Sequence, residues 1–351
     1  MLPITDQEHR LLYDSAQSFL AQRCHRRWVR SAPRWNDAPT RQIWSEVAEL
    51  GWLGVLMPED QGGLGLTMQE ACILGERAGS HLFALPLGAS AVLSALVHRA
   101  APRSPLPTAD LCMGRAMLAW LPIGTAAPDY LLDHFGQATH VLTTRQRADA
   151  GLDIGLADIE SLTLKELPAL DPSCPLASWA PSADEPKRMV SPIATLTPQA
   201  ARVLDSGWRL YRLAELLGVA QGGFKLTTEY VRERVQFGAP IGSFQAIKHR
   251  LADTAMALDL ASLALWAAAS RLGDGTPDEI AELAVDHAHV AIDLAASRVR
   301  REVIQLHGGI GFTWECDAHL YQKRIIRLSS GLASGAALRR IAAHEMREAT
   351  A

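Results

Sequence analysis

The chain has few cysteines, and none belongs to a metal-binding or disulfide motif. Five are scattered over 351 residues and no C-x-x-C pair occurs, so neither a zinc site nor a disulfide framework is predicted. No uninterrupted apolar run reaches the roughly 18 residues of a membrane span. The first residues lack the basic start and apolar stretch of a secretory signal. We therefore expect a cytoplasmic protein without a membrane segment, whose thiols act as small buried apolar groups.

An excess of positive charge is also missing. The 34 basic and 38 acidic residues give a net charge of -4, which argues against a non-specific nucleic-acid binder. The sequence has no G-x-G-x-x-G after a strand, no P-loop, no G-x-S-x-G and no H-E-x-x-H. A dinucleotide fold, a P-loop nucleotide site, a hydrolase elbow and a helical zinc site are therefore not supported.

Three stretches of different composition divide the chain, which is longer than one core usually serves. Residues 1–108 contain two capping-box patterns and predict helices. Residues 109–197 consist of short apolar runs between Gly, Pro and Asp, and predict a small β-domain. Residues 198–351 are rich in alanine and predict a helical bundle. The predicted strands are Ala116–Leu121, Tyr130–Leu132, His140–Thr143 and Ile159–Leu164. The predicted bundle helices are 199–233, 243–272, 277–307 and 315–346, the last broken around Gly331 and Gly335.

The pattern R-x-Q-F-G-x-P-I-x-x-F-Q begins at Arg234, where a helix ends, and a new helix starts after it. An arginine beside the unpaired N–H groups of a helix start suits a phosphate or pyrophosphate. A plain corner between two helices, with Arg234 in solvent, explains the same spacing. Both interpretations remain open at this point.

The pattern Q-x-H-G-G-I-G-F-T-W-E begins at Gln305. Its three glycines permit close approach of a flat or charged group to the backbone. The alternative is a tight interhelical turn packed by Phe312 and Trp314. His307 by itself is predicted to be a hydrogen-bonded structural residue rather than an acid or base.

A third group joins histidines and carboxylates late in the chain. Its histidines do not follow the i, i+4 spacing that places two ligands on one helix face, so no metal site is predicted. The group consists of Glu282, Asp286, His287, His289, Asp317 and His319.

Taken in order, these motifs resemble those of the acyl-CoA dehydrogenase family. The N-terminal P-E-x-x-G-G-L-G-L, followed by Glu70 and Glu76, adds a third match. The resemblance covers the chain except its middle. It implies a mainly α protein with a small β-domain: an N-terminal helical domain, a middle β-domain and a C-terminal four-helix bundle. It also implies an oxidoreductase of lipid metabolism that desaturates an acyl-CoA, usually as a tetramer.

The resemblance further implies FAD as cofactor. Four residues of the first motif would reach the FAD of a neighbouring subunit, and three of the second would lie near its ADP portion. The first group is Arg234, Gln236, Phe237 and Gln245, and the second is Gln305, Gly308 and Gly309. An electron-transfer flavoprotein is the implied electron acceptor.

The catalytic base departs from the family pattern. Family chemistry uses a carboxylate to remove the α-proton of the acyl-CoA, and ungapped alignment puts Gly331 at that position. In members with the base on the first bundle helix, the equivalent is Trp208. Asp205 and Glu215 lie nearby along the same helix and are the weak candidates that remain.

The middle segment departs too, because Ala119 to Gly124 stands where the family has Thr-Glu-Pro. A chain that keeps the FAD-facing motifs and loses the base resembles the non-catalytic partner in two-subunit family members, often specific for bulky thioesters such as sterol side-chain fragments. Three hypotheses follow: a complete acyl-CoA dehydrogenase, a structural or FAD-contributing partner in a heteromer, and an oxidase or monooxygenase-like offshoot.

Overall fold

The computed structural model describes residues 6–123, 130–179, 192–273, 278–332 and 334–349. The chain forms two compact units. One unit comprises Met1–Arg26, Cys72–Phe83 and Arg209–Ala351, and the other comprises Arg27–Ala71 and Ala84–Trp208. The order predicted from the sequence is present, with helices first, small sheets in the middle and long helices last. The domain limits 1–108, 109–197 and 198–351 stay a prediction.

Helices dominate the described residues. In chain order they are α1 Gln7–Arg23, α2 Arg26–Arg30, α3 Ala38–Glu49, α4 Met68–Ser80, α5 Ser94–Ala100, α6 Thr108–Cys112, α7 Pro198–Glu233, α8 Gln245–Leu272, α9 Glu279–His307, α10 Ala318–Ser330 and α11 Ser334–Glu348. The four long segments predicted at the C-terminal end match α7, α8, α9 and the pair α10–α11. The last segment breaks at Gly331 as expected, but Gly335 lies within α11. A π-helical turn, Ala89–Leu93, precedes α5.

The long helices of the first unit run antiparallel where α8 meets α9. Arg250 in the first turns of α8 pairs with Glu302 near the end of α9 at 2.7 Å, and Arg298 pairs with Asp253 at 3.7 Å. Asp278 caps α9 by accepting a hydrogen bond from the Ala281 amide at 2.7 Å. The start of α8 and the end of α9 therefore lie at the same end of the bundle.

The same unit packs the backbones of α4 and α7 in direct contact. A Cβ built on Gly218 would lie 1.9 Å from the Glu76 carbonyl oxygen, and one on Gly79 would lie 2.1 Å from that of Glu215. Beside this contact Glu76 is fully buried and bonds Arg77 at 2.6 Å. Because no side chain fits between the two backbones, the relative position of α4 and α7 is tightly constrained.

The second unit contains two sheets. The strands are β1 Leu118–Ile123, β2 Tyr130–Asp133, β3 His140–Gln146, β4 Leu152–Asp158, β5 Leu164–Leu167, β6 Leu176–Trp179 and β7 Ala194–Leu196. One sheet has the order β1-β3-β4-β7, parallel only at β1–β3, and the other has the antiparallel order β2-β6-β5. Side chains of both sheets share one core that includes Leu121, Leu132, Val141 and Trp179.

In the second unit, one predicted strand was wrong and three strands were missed. Ile159–Ser161 forms a 3-10 turn, and the strand begins only at Leu164. Strands β4, β6 and β7 lie in stretches where no strand was predicted. Short apolar runs do not distinguish strands from turns, because pairing with distant strands decides between them.

Helix α8 is long and apolar enough to cross a membrane by length and composition alone, with a mean hydropathy of 1.3 in its most apolar window. The sequence predicted no membrane segment here, because polar residues such as Asp253 and Asp259 interrupt its apolar residues. Only 33% of that window is buried. Three large apolar side chains spaced along one face are exposed: Met256, Leu260 and Leu263. The same composition is typical of a bundle helix with one face left for a partner.

Candidate functional site

A β-hairpin joins α7 to α8, where the sequence predicted only a turn. Val235–Gln236 (β8) pairs antiparallel with Ala239–Pro240 (β9), and Phe237 and Gly238 form the two-residue loop. Both loop residues have positive φ, 53° and 81°, as a type I′ turn requires. Glycine meets this requirement without cost, but phenylalanine does not.

The Phe237 side chain is 95% exposed. It contacts Phe244 edge-on, with ring centroids 6.3 Å apart. An aromatic residue in left-handed backbone, whose ring is almost uncovered, stabilises the isolated chain very little. Strained residues of this kind cluster at ligand sites, where the bound state compensates the strain.

Polar groups around the hairpin face outward. Arg234 is exposed and makes no ion pair within the described part of the chain, and Gln245 is exposed at the first position of α8. Phe244 stands at the N-cap and provides no side-chain acceptor. A long helix that starts without a cap presents unpaired N–H groups and the positive end of its dipole. The site therefore suits an anion.

The second motif forms an open turn at the end of α9. Gly308–Phe312 is a 3-10 turn, and Gln305 is exposed one helical turn before it. A Cβ built on Gly308 or Gly309 would meet nothing within 4 Å. Gly308 has a φ of 63°, but Gly309 is not in left-handed backbone. The fold itself therefore does not require glycine at 309.

Packing by Phe312 and Trp314, the structural alternative for this turn, is contradicted. Their side chains are 69% and 57% exposed. Trp314 contacts His319 edge-on and carries Lys323 over its ring, but most of its surface faces solvent. The turn is therefore an uncovered apolar surface with bare backbone beside it.

His307 connects this turn to the hairpin. Its Nδ1 donates to the Val303 carbonyl at 2.6 Å, and its ring stacks on Tyr230 with centroids 4.3 Å apart. Burial lowers the pKa of His307 below its ordinary value. Tyr230 lies in the last turn of α7, just before the hairpin. His307 is thus a structural residue, and the two motifs lie at the same end of the bundle.

The position predicted for the catalytic base is filled by a cation. Arg212 of α7 donates from Nη1 to the Gly331 carbonyl oxygen at 2.9 Å. A Cβ on Gly331 would lie 2.4 Å from Nη2 of the same guanidinium. Sequence reasoning missed Arg212, because the two residues are 119 positions apart and only the packing of α7 against the end of α10 brings them together.

The other candidate bases are no better placed. Glu215 lies between Arg324 at 3.7 Å and Arg327 at 3.8 Å, so its carboxylate is already engaged by two cations. Asp205 is exposed. Trp208 packs edge-on against Trp120, with ring centroids 5.5 Å apart. Trp120 in turn donates to the Thr144 hydroxyl at 3.0 Å.

The histidine and carboxylate group does not assemble. Asp286 accepts hydrogen bonds from Arg209 at 2.7 Å and from Arg340 at 2.5 Å. His289 is buried, and burial lowers its pKa, whereas His287 is exposed. In the described ranges no three His, Cys, Asp or Glu side chains are placed to hold a metal ion.

Comparison with known proteins agrees with this architecture. The profile described as "Acyl-CoA dehydrogenase, C-terminal domain" matches residues 202–344, and "Acyl-CoA dehydrogenase, N-terminal domain" matches residues 6–101. The acyl-CoA dehydrogenase IpdE2 of Mycobacterium tuberculosis is 32% identical over 320 residues, which are 91% of each chain.

Two solved structures share the fold over nearly all of the chain. A variant of the Tcur3481-Tcur3483 steroid ACAD aligns with a TM-score of 0.81 and 23% identity, covering 98% of this chain and 99% of that one. The ChsE4-ChsE5 complex of Mycobacterium tuberculosis aligns with a TM-score of 0.78 and 24% identity, covering 97% and 98%. At this identity the likeness shows the fold.

Proposed function

Because the chain belongs to the acyl-CoA dehydrogenase family, we propose that it is an FAD-binding subunit of an enzyme that desaturates an acyl-CoA thioester between its α- and β-carbons. The observation that carries the cofactor assignment is Gly309. Neither its backbone angles nor its neighbours demand glycine, and the open space beside its bare backbone can admit a group that approaches from outside. A flat cofactor with an anionic linker meets that description.

The residues at this end of the bundle fit FAD by their chemistry. Arg234 would donate charge-assisted hydrogen bonds to the pyrophosphate. Gln236, Gln245 and Gln305 would supply amide groups. Phe237 would supply an aromatic surface, and Gly308 and Gly309 would allow the ADP portion to lie close to the backbone. A flavin held by these residues would supply the acceptor for the hydride from the β-carbon of the substrate.

The same reaction needs a base for the α-proton, and among the residues that the structure describes none of the candidates is in good position. Gly331 has no side chain, Glu215 is paired with two arginines, and Trp208 cannot accept the proton. We propose that a second, homologous subunit supplies the base. This chain would then hold the cofactor and support the partner's active site.

An apolar face supports assembly with such a subunit. Met256, Leu260 and Leu263 of α8 are more than half exposed, as is Leu294 of α9. Asp253 of α8 and Arg298 of α9 bridge these two faces, so the exposed apolar residues belong to one surface. Contiguous exposed apolar surface of this kind is typical of subunit interfaces. A heterotetramer is the assembly that we propose.

The solved structures of the same fold also suggest a class of substrate. Two solved structures that share this fold, Tcur3481-Tcur3483 and ChsE4-ChsE5, are each named by two chains, and the first is named a steroid ACAD. We propose a bulky acyl-CoA, such as a sterol side-chain fragment, and an electron-transfer flavoprotein as the acceptor.

The first test is the flavin absorbance and native mass of the chain, purified alone and with any subunit that copurifies from its own cell. Flavin and acyl-CoA-dependent bleaching that need a second subunit would support the heteromer. A yellow homotetramer that an acyl-CoA bleaches would overturn the heteromer and leave the dehydrogenase. Oxygen consumption without an added acceptor would favour the oxidase-like alternative instead.

A further inference from the structure

One face of α9 leads directly to the open glycine turn. Exposed side chains recur along this helix at spacings of seven, four, three and four residues, so they form a single stripe. The stripe consists of His287, Leu294, Arg298, Arg301 and Gln305. Gly308, three positions further on, is exposed as well. Whatever covers Gln305 and Gly308 therefore also meets the side chain one turn earlier, which is Arg301.

The charge of Arg301 is not used by the chain itself. Glu302, its sequence neighbour, is bonded to Arg250 at 2.7 Å. Arg298, one turn earlier on the stripe, is bonded to Asp253 at 3.7 Å. Across the described residues Arg301 has neither an ion pair nor a hydrogen bond. A guanidinium with all its donors available stands beside bare backbone.

The surroundings at this end of the bundle add positive charge. Arg234 and Lys248 are both exposed and unpaired within the part of the chain that the structure describes. The uncapped start of α8 adds the positive end of a helix dipole. An exposed cation near the C-terminus of α9 is favourable in itself, but that explanation predicts only a small effect on stability and none on ligand binding.

We propose that Arg301 binds a phosphate oxygen of the ADP portion of the flavin cofactor, on the side of Gln305 and the Gly308–Phe312 turn. This inference rests on the proposed function, because it takes FAD as the ligand. Arg301 and Arg234 then hold the anionic linker from two different elements, α9 and the hairpin. Arg301 lies one helical turn before Gln305, outside the sequence motif, so the motif alone does not identify it as a cofactor contact.

The test compares Arg301→Ala with Arg298→Ala in the purified flavin-containing assembly. The control removes an arginine from the same stripe one turn earlier, where Asp253 already holds it, and the native mass of both variants is checked, because Arg298 borders the proposed subunit interface. We expect Arg301→Ala to weaken FAD retention about tenfold and to reduce the dependence of FAD binding on salt, with Arg298→Ala unchanged. The measurements are the flavin-to-protein ratio after desalting and FAD titration at two salt concentrations.

Equal FAD affinity in Arg301→Ala and the unmodified assembly would overturn the proposal, and so would an equal loss in Arg298→Ala. If Arg301→Ala lowers the unfolding midpoint, Arg301→Gln is measured by the same criterion. Arg234→Ala separates this inference from the proposed function. Loss of FAD in Arg234→Ala but not in Arg301→Ala rejects only Arg301, whereas full retention in both rejects the FAD site.

Discussion

The Arg212 guanidinium fills the space that a side chain at residue 331 would need. The guanidinium bonds the Gly331 carbonyl at 2.9 Å, and Nη2 lies 2.4 Å from the point where a Cβ of residue 331 would stand. The position that the family resemblance assigns to the base therefore holds a glycine, and a cation fills the space beside it. A carboxylate introduced at residue 331 would therefore meet the Arg212 guanidinium and would not by itself serve as a catalytic base.

We expect Gly331→Glu to form an ion pair with Arg212 and to leave acyl-CoA-dependent bleaching unchanged, because a paired carboxylate is a poor proton acceptor. A double-mutant cycle with Arg212→Gln measures the pairing through denaturant unfolding. The expected coupling is about 0.5–1 kcal/mol, as for partly exposed ion pairs. A coupling of zero would show that Arg212 does not act on residue 331.

Gly309→Val should leave the free chain folded and reduce FAD retention more than about tenfold. The added side chain meets nothing within 4 Å in the chain, and residue 309 does not need left-handed backbone. Circular dichroism and the flavin-to-protein ratio check the two halves of this expectation. Normal flavin content in Gly309→Val would place the cofactor away from this turn.

Phe237→Asn should stabilise the free chain by roughly 1 kcal/mol, because asparagine tolerates left-handed backbone better than phenylalanine does. The same variant should bind FAD more weakly, since the exposed ring is lost. Denaturant unfolding of the cofactor-free chain and FAD titration give the two values. An unchanged FAD affinity would reduce Phe237 to a plain turn residue.

Acid should destabilise the chain through His81. Burial, together with Arg26, Arg77 and Lys225, lowers the pKa of His81 from 6.5 to about 4. As the pH falls below 6.5 the unfolded chain binds the proton first, so the free energy of unfolding decreases until the folded chain also protonates near pH 4. Unfolding of His81→Gln over this range should show a shallower decrease than unfolding of His25→Gln, at an exposed histidine. If the free energy of unfolding decreased equally with pH in both variants, His81 would not be the group responsible.

Leu260→Glu should reduce the native mass of the assembly. The Leu260 side chain is 62% exposed in the single chain, so the fold tolerates the charge, but a partner that covers it does not. Leu338→Glu is the matched control on α11, where the side chain is 52% exposed. If light scattering gave the same native mass for both variants, α8 would not form part of the subunit interface.

The C-terminal helices could be predicted from the sequence because each carries its own evidence. Periodic apolar residues and a cap such as Asp278 define α9 without reference to distant residues. The strands of the second unit carry no such evidence. Leu152–Asp158 becomes a strand because β3 and β7 flank it, and that pairing is a property of the folded chain.

The candidate site divides in the same way. Arg234, Phe237 and Gly309 belong to contiguous motifs, so their types and spacing were visible in the sequence. The type I′ turn at Phe237, the open space beside Gly309 and the Arg212–Gly331 contact depend on three-dimensional packing. Arg301 lies between the two cases, because helical spacing from Gln305 identifies its face and only the structure identifies its unpaired charge.

The apolar face of α8 has a consequence for the cell that makes this protein. A copy without a partner keeps its Leu260 face in water, where chaperones and proteases recognise such surface. Surplus copies are then removed, and assembled copies are protected. In the proposed heteromer, synthesis of the two subunits would therefore not need to be matched, because degradation of the unassembled chain would correct their ratio.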